Sequence, residues 1–227
     1  MTGRDAILGN IRRSLGTAHL PSAQPTPPER APLTAPPSLD DQVAAFRKNL
    51  EAVRGRVHGP FAPEAATATV VRLLLEAGAG DLLGWPLADI ALSGLGTALT
   101  AAGVRRVDPG VPDDANGRAA ALQALAQVPV GLTGAQAGLA DTGSLVLIHG
   151  PERSRLASLL PPVHVAVLAL ADLRPDLPTL FVERPNLLDG TSNVVFVTGP
   201  SRTADIELTP VFGVHGPKRL DVVLVAG

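Results

Sequence analysis

A chain of 227 residues, 45% hydrophobic and 18% charged, has enough apolar material for one large α/β domain, or for one domain with a small appendage. A formal net charge of −2 and an aromatic content of 3%, without tyrosine, argue against a nucleic-acid-binding surface. Because the chain has no cysteine, disulfides, cysteine nucleophiles and thiolate-bound iron–sulfur clusters are excluded.

The first element in the chain is predicted to be an amphipathic helix over residues 2–15, since Ile7, Leu8, Ile11 and Leu15 recur at helical spacing. Residues 20–38 follow with seven prolines, which predict an extended linker. We therefore divide the chain into residues 1–37, helix and Pro-rich linker, and a globular domain over 38–227. The helix is either a frayed arm or an arm that docks on a partner or a second subunit, and its isolated apolar face favours docking.

Nothing in the N-terminal stretch resembles a signal peptide, because Arg4, Arg12 and Arg13 interrupt it. No apolar run free of charge and proline reaches 18 residues, so no membrane span is expected. These patterns predict a cytoplasmic protein.

From Ser38 onward the pattern is that of a globular domain. Ser38 is a predicted N-cap, acidic residues fill the first turn, and Phe46 and Leu50 lie on one apolar stripe. Predicted strands lie near Val57 and at 81–85, 104–107, 128–132, 144–148, 164–170, 193–197 and 220–225. Predicted helices lie at 63–77, 87–102, 114–127, 152–159 and 172–179. This alternation predicts an α/β fold, with a mainly parallel sheet covered by helices on both faces and a partly antiparallel edge late in the chain.

Several common motifs are absent. The lysines, Lys48 and Lys218, complete no P-loop, and in "GLGTAL" Leu99 stands at the third glycine position of a dinucleotide fingerprint. In "GPSRT", Thr203 replaces the final glycine of a nucleophile elbow. The five histidines show no metal-ligand spacing, so no metal is predicted. Arg153 and Arg155 form either one face of the predicted helix 152–159 or an anion contact, and the helix face is favoured.

Two glycine-containing polar turns are candidate binding elements. The first precedes the apolar strand "LVLI" and comprises Asp141, Thr142, Gly143 and Ser144. Small hydroxyls beside a glycine leave backbone amides accessible to a carboxylate or phosphate. The alternative is a structural Asp-Thr-Gly turn chosen for its backbone conformation.

The second turn is "GPSRTADIELTPVFGVHG", residues 199–216, directly after "NVVFV". Ser201 and Thr203 can cap a helical turn whose amides favour an anion, and Arg202 can clamp a carboxylate through two parallel hydrogen bonds. Asp205 and Glu207 share a face if they lie on a strand. His215 can exchange protons near neutral pH.

The alternative for this stretch is a solvated loop in which Arg202 pairs with Asp205 or Glu207. In open parallel sheets ligands bind past the carboxyl ends of strands, so the position after "NVVFV" favours a site.

Four segments, "ADTGSLVL", "LPPVHVAVL", "SNVVFVTGPSRTADIE" and "GVHGPKRLDVVLV", resemble in order and spacing the LutC/YkgG family of lactate-utilisation proteins, which carry the LUD domain. The resemblance covers about residues 40–227. It implies a fold similar to the NagB/RpiA/CoA-transferase group and a role as the C component of a three-part system that oxidises L-lactate to pyruvate. The implied partners are iron–sulfur subunits and a small carboxylate, with a homodimer as a further option.

Carried over by motif position, the resemblance orders the candidate residues. The substrate-binding set is Asp141, Thr142, Gly143, Ser144, Gly199, Ser201, Arg202 and Thr203. The catalytic set is Asp205, Glu207 and His215. The resemblance does not identify a cofactor, and a chain without cysteine holds no iron–sulfur cluster of its own.

Two other functions fit the same residues. A stand-alone acyl-CoA transferase or sugar-phosphate isomerase of the same fold would use Asp205 or Glu207 as its carboxylate. A scaffold protein would use both polar turns only for docking.

Overall fold

The computed structural model describes residues 3–17, 37–107, 110–191, 193–204, 210–212 and 215–227, with only the backbone described at 17, 202–204 and 210–212. The chain divides into two compact units, Met1–Pro36 and Pro37–Gly227. The helices in the described part are α1 (Gly3–Thr17), α2 (Leu39–Ala52), α3 (Pro63–Glu76), α4 (Leu95–Ala101), α5 (Ala115–Leu125), α6 (Leu156–Leu159) and α7 (Leu177–Glu183). None of them is long and apolar enough to cross a membrane.

The strands of the described ranges belong to three sheets. They are β1 (Arg56–Phe61), β2 (Asp81–Gly84), β3 (Arg105–Val107), β4 (Val130–Gly134), β5 (Ala137–Leu139), β6 (Ser144–His149), β7 (Val163–Ala169), β8 (Leu173–Arg174), β9 (Asn193–Val197), β10 (Arg202–Ala204), β11 (Pro210–Phe212) and β12 (Arg219–Val225). Six of them form a sheet in the order β1-β12-β7-β4-β2-β3, in which every pair is parallel. The predicted α/β fold with a mainly parallel sheet is confirmed.

Apolar residues on the two faces of this sheet build two separate cores. On one face, β-strand residues such as Val165 and Val223 pack with Val70 and Leu73 of α3 and with Leu95 of α4. The opposite face packs against α2, α6 and the inner face of a second sheet. Because side chains alternate along each strand, both cores draw on the same strands, which explains their near-continuous apolar sequences.

The second sheet has four strands in the order β8-β5-β6-β9, with β6 antiparallel to both β5 and β9. Leu145 and Leu147 of β6 face the main core, while Val146 and Ile148 face Leu180 of α7. The antiparallel strands therefore belong to a sheet of their own. Because of this, the prediction that the main sheet has a partly antiparallel edge is wrong. β10 and β11 form a separate antiparallel pair.

Three predicted helices differ in extent from the observed ones. The segment 87–102 is interrupted, because Ile90 adopts an extended backbone and is buried at 3% exposure before α4 begins. The segment 152–159 shortens to α6, since the carbonyl of Ser154 accepts a hydrogen bond from the Trp85 indole. The segment 172–179 shifts to α7, because Leu173 begins β8 and Asp176 caps the helix through the amide of Thr179 at 2.7 Å.

Candidate functional site

The Asp-Thr-Gly turn joins β5 to β6 and is held by α2. Asn49 of α2 donates its side-chain amide to the carbonyls of Ala140 at 2.8 Å and Asp141 at 2.9 Å. The backbone amide of Asp141 donates to Pro175, and that of Gly143 to Leu139. Two amides of the turn are thus already used by carbonyls, and the turn presents the exposed side chains of Asp141 and Thr142 to solvent.

Gly143 has a structural role at this turn. Its φ is +67°, a backbone conformation that glycine adopts without strain, and a Cβ there would stand 2.4 Å from the backbone nitrogen of Leu50. The helix and the turn therefore approach as closely as glycine allows. Gly143 supports the interpretation of a structural turn, whatever the exposed side chains bind.

The second turn lies beside the first. Ser144 and Thr198 share a hydroxyl–hydroxyl hydrogen bond of 2.8 Å. A Cβ on Gly199 would lie 2.9 Å from Cγ2 of Val53, at the end of α2. Both turns therefore contact the last turns of α2 or the residue just after it.

The segment around His215 joins the same cluster through Ser201. The amide of Ser201 donates to the carbonyl of Pro217 at 2.8 Å, and a Cβ on Gly216 would lie 3.2 Å from Cβ of Ser201. His215 itself is exposed. Residues 198–201 thus contact both the Asp-Thr-Gly turn and the segment around His215. We use the name turn cluster for the Asp-Thr-Gly turn, the second turn from residue 198 onward and the His215 segment taken together.

The structure describes only part of the predicted residue set within the turn cluster. Arg202 and Thr203 lie on β10, where Arg202 pairs with Phe212 of β11, and their backbone alone is described. Asp205 and Glu207 lie outside the described residues. Their predicted contribution to a site stays a prediction.

The position of the turn cluster differs from the expected one. β9 belongs to the antiparallel second sheet, so its carboxyl end does not coincide with those of the parallel strands. Pro217 precedes β12, and the amide of Lys218 bonds the carbonyl of Pro162, just before β7. The turn cluster therefore lies near the amino ends of β7 and β12.

A cavity of about 590 Å³ lies at the carboxyl ends of β2 and β3. Pro86 follows β2, and Gly110 and Val111 follow β3. The described residues that line the cavity are Pro86, Arg106, Gly110, Val111, His149, Gly150, Pro151, Glu152, Arg153, Ser154, Arg155 and Asn193. This is the edge at which ligands bind in open parallel sheets.

The lining of this cavity is strongly basic. Among the described residues that line it are three arginines, Arg106, Arg153 and Arg155, and one carboxylate, Glu152. Arg106 donates to the carbonyl of Gly84 at 3.2 Å, which fixes its guanidinium at the end of β2. Among the residues that the structure describes, no carboxylate lies within ion-pairing distance of any of the three arginines.

A buried aromatic pair supports the basic wall. Trp85, fully buried, donates its indole N–H to the carbonyl of Ser154 at 3.0 Å, between Arg153 and Arg155 in the chain. The Trp85 and His149 rings meet edge to face, with centroids 5.6 Å apart. Burial lowers the pKa of His149, and the positive charges of Arg155 and Arg153 lower it further. The imidazole is therefore neutral at pH 7, and the arginines set the charge of the cavity.

Arg153 and Arg155 are predicted to form either a helix face or an anion contact; the favoured helix face is wrong, and the anion contact stays a prediction. Arg153 and Arg155 do not lie on a helix face, because α6 begins only at Leu156, and both line the cavity. The signal was the glycine and proline in "HGPERSR", which indicate a loop directly after β6. Arg106 on β3 and His149 at the end of β6 carried no signal, since their neighbours come from distant parts of the chain.

Within the described ranges, no group of three or more histidine, aspartate or glutamate side chains is placed to hold a metal ion. Thr133 Oγ1 and His164 Nε2 form a hydrogen-bonded pair, 2.9 Å apart, and both residues are fully buried. Burial, and then the neighbouring His149, lower the pKa of His164 to about 4. A neutral imidazole in this place contributes to the core.

Comparisons with known proteins match most of the chain to one family. The model of the LUD domain matches residues 43–225. A solved structure, titled as a DUF162 family protein from Deinococcus radiodurans, has a TM-score of 0.58 with 20% sequence identity and covers 85% of this chain and 100% of that one. This likeness shows a shared fold.

Among curated proteins, an uncharacterized protein of Neisseria meningitidis is 38% identical over 107 residues, 44% of this chain and 42% of that protein. Proteins named lactate utilization protein C are 38% identical in an Exiguobacterium strain, over 42% of this chain and 44% of that protein, and 35% identical in Bacillus subtilis, over 44% and 43%. The chain thus spans 42 to 44% of the length of these relatives in the matched regions. The predicted resemblance to the lactate-utilisation family is confirmed.

Proposed function

This chain belongs to the LUD domain family, and on that premise we propose that it serves lactate utilisation. The observation that carries the proposal is the similarity to several proteins named lactate utilization protein C. In its finer form, the chain is the component without iron–sulfur clusters of a multi-subunit system that oxidises L-lactate to pyruvate.

The missing cysteines support this division of labour. Oxidation of lactate to pyruvate releases two electrons and two protons, and a chain without thiolates cannot hold an iron–sulfur cluster in the usual way. The electrons would therefore pass to partner subunits that carry such clusters. What remains for this chain is to bind the substrate, to handle protons, or to organise the partners.

The turn cluster is the proposed carboxylate site. Arg202 would hold the carboxylate through two parallel hydrogen bonds, beside Ser201, Thr203 and the hydroxyls of the first turn. His215, Asp205 and Glu207 would take part in proton transfer. The proposal is supported by the contacts that bring Ser144, Gly199, Ser201 and Gly216 into one region.

A single substitution tests this site. We expect Arg202→Ala to abolish growth on L-lactate, because the substrate carboxylate loses its charged, bidentate partner. Arg202→Lys should retain only part of the growth, because lysine keeps the charge but cannot form two parallel hydrogen bonds. Growth on lactate and on a non-lactate carbon source would be compared, with thermal unfolding measured in parallel. The matched control is Arg118→Ala, an exposed arginine on α5. Normal growth of Arg202→Ala on lactate would contradict the carboxylate site.

The subunit role has its own test. Purification of the tagged chain from cells grown on lactate should recover proteins that contain iron–sulfur clusters, detected by iron content and visible absorbance. The pure chain alone should not turn over acyl-CoA or pentose phosphates. Turnover of either substrate class without partners would overturn the subunit role and favour a stand-alone transferase or isomerase.

A further inference from the structure

We propose that the cavity at the carboxyl ends of β2 and β3 is a second ligand site, which binds the phosphate group of a small phosphorylated molecule through Arg106, Arg153 and Arg155. We call it the arginine cavity. It goes beyond the role in lactate utilisation and does not depend on it.

The first argument is charge. Within the part of the chain that the structure describes, three guanidinium groups and one carboxylate, Glu152, line the cavity. Grouping like charges is unfavourable unless an anion occupies the space between them. A monocarboxylate such as lactate brings one negative charge, whereas a phosphate monoester brings about 1.5 to 2. The lining therefore matches a phosphate better than a small carboxylate.

The second argument is the geometry of the donors. Guanidinium forks match the oxygens of phosphate and form paired, charge-assisted hydrogen bonds with them. Arg106 is held by the carbonyl of Gly84, and the loop of Arg153 and Arg155 is held by the bond from Trp85 to Ser154. These two hydrogen bonds hold both walls of the cavity in place before a ligand binds. Binding would therefore cost less conformational entropy of the side chains and the loop.

The third argument is size. A volume of about 590 Å³ falls within the range of about 300 to 1,000 Å³ that is usual for small-molecule sites. A phosphate group alone would leave most of this space to solvent. Pro86, Val111 and Pro151 add apolar surface to the wall, so the ligand class is a phosphate ester or diphosphate with a small organic body.

The arginine cavity is separate from the turn cluster. In the pairing of β6 with β9, His149 lies opposite Asn193 at the cavity, while Leu145 lies opposite Val197 next to the turn cluster. Four residues along a strand correspond to about 13 Å. The two sites therefore lie at opposite ends of the same strand pair and can be altered independently.

Isothermal titration calorimetry on the full chain tests the proposal, with sodium pyrophosphate and sodium L-lactate as the two probes at matched ionic strength. We expect pyrophosphate to bind to the wild type. Arg153→Gln and Arg155→Gln should each weaken its binding about tenfold or more, because each removes a charge-assisted contact. Arg118→Gln, which removes the same charge from α5, should bind like the wild type, and so should Arg202→Ala.

Three outcomes would overturn the proposal. They are no heat of binding with pyrophosphate at millimolar concentration, equal affinity in the wild type and both cavity variants, or lactate binding in the cavity as tightly as pyrophosphate. Thermal unfolding of each variant shows whether it is folded, and two separate arginine positions keep the test decisive if one variant does not fold. Loss of pyrophosphate binding in Arg202→Ala would also count against a separate site.

Discussion

His164 is a fully buried histidine whose ring nitrogen Nε2 is hydrogen-bonded to Thr133 at 2.9 Å. Burial lowers its pKa to about 4, well below the ordinary value of 6.5. Between these two values the unfolded chain binds a proton that the folded chain does not. The stabilisation that comes from a neutral His164 is therefore complete above pH 6.5 and is lost progressively as the pH falls towards 4.

The first prediction concerns this pH range. We expect the free energy of unfolding of the wild type to fall by about 3 kcal/mol between pH 7 and pH 4 on account of His164. In His164→Gln, which has no titratable group, the fall should be smaller. Urea denaturation at several pH values measures it. The pKa of His149 is also lowered, so a residual slope is expected in the variant. Identical pH profiles of the two proteins would refute a titration of His164.

The carboxyl group of Asp221 affects the free energy of unfolding in a lower pH range than His164 does. Burial alone would raise the pKa of this carboxyl, but the hydrogen bonds from His58 at 2.8 Å and Arg219 at 2.5 Å outweigh burial and lower it. Its stabilisation is present above about pH 4 and is lost as the pH falls below that value. The two buried groups can thus be separated by the pH at which each acts.

At the scale of elements, α2 connects the start of the domain to the turn cluster. It begins at Leu39, where Ser38 Oγ accepts the amide of Asp41 at 3.1 Å, so the predicted N-cap is confirmed. At its other end Asn49 and Leu50 press against the turn between β5 and β6. The helix therefore positions the backbone of the first polar turn, through the side chain of Asn49 and the close approach of the Leu50 backbone.

Gly143→Ala tests this contact between helix and turn. The new methyl group would clash with the backbone of Leu50, and the alanine would have to adopt a positive φ. We therefore expect a loss of about 2 kcal/mol or more in the free energy of unfolding. Chemical denaturation measures the loss. Gly190→Ala is the matched control, because Gly190 has a φ of +69° and no atom of the described residues lies within 4 Å of a new Cβ. Equal losses in both variants would mean that packing against α2 contributes little.

At the scale of the whole molecule, the buried apolar residues of the described chain all lie between Phe46 and Val225. On α1, by contrast, Ile7, Ile11 and Leu15 are 63%, 49% and 63% exposed. The core of the unit Pro37–Gly227 is thus built without α1.

Removal of residues 1–36 should therefore leave the domain folded. We expect the Tm of the chain 37–227 to lie within about 2 °C of that of the full chain, since changes away from the core cost little. Differential scanning calorimetry of both chains gives the answer. A drop of many degrees would show that the N-terminal unit contributes to the domain.

Local sequence patterns determined much of this protein. The apolar strands, the Ser38 cap of α2 and the motifs of the lactate-utilisation resemblance depend on residues close together in the chain, where periodicity and capping act directly. The segments "SLVLI" and "NVVFV" were placed correctly as strands, but their membership of a second, antiparallel sheet was not predictable. Which strands pair, and in which direction, depends on contacts between residues far apart in the chain.

The arginine cavity, like the pairing of the strands, depends on contacts between residues that are far apart in the chain. Arg106 and Arg155 are separated by 49 positions and lie in segments of unlike pattern. Their charges converge only because β2, β3 and the end of β6 meet at one edge of the fold. The fold class and the family follow from the amino-acid sequence, since both depend on local patterns and motifs. The tertiary structure alone decided where the charges gather, because electrostatic fields depend on distance in space and not along the chain.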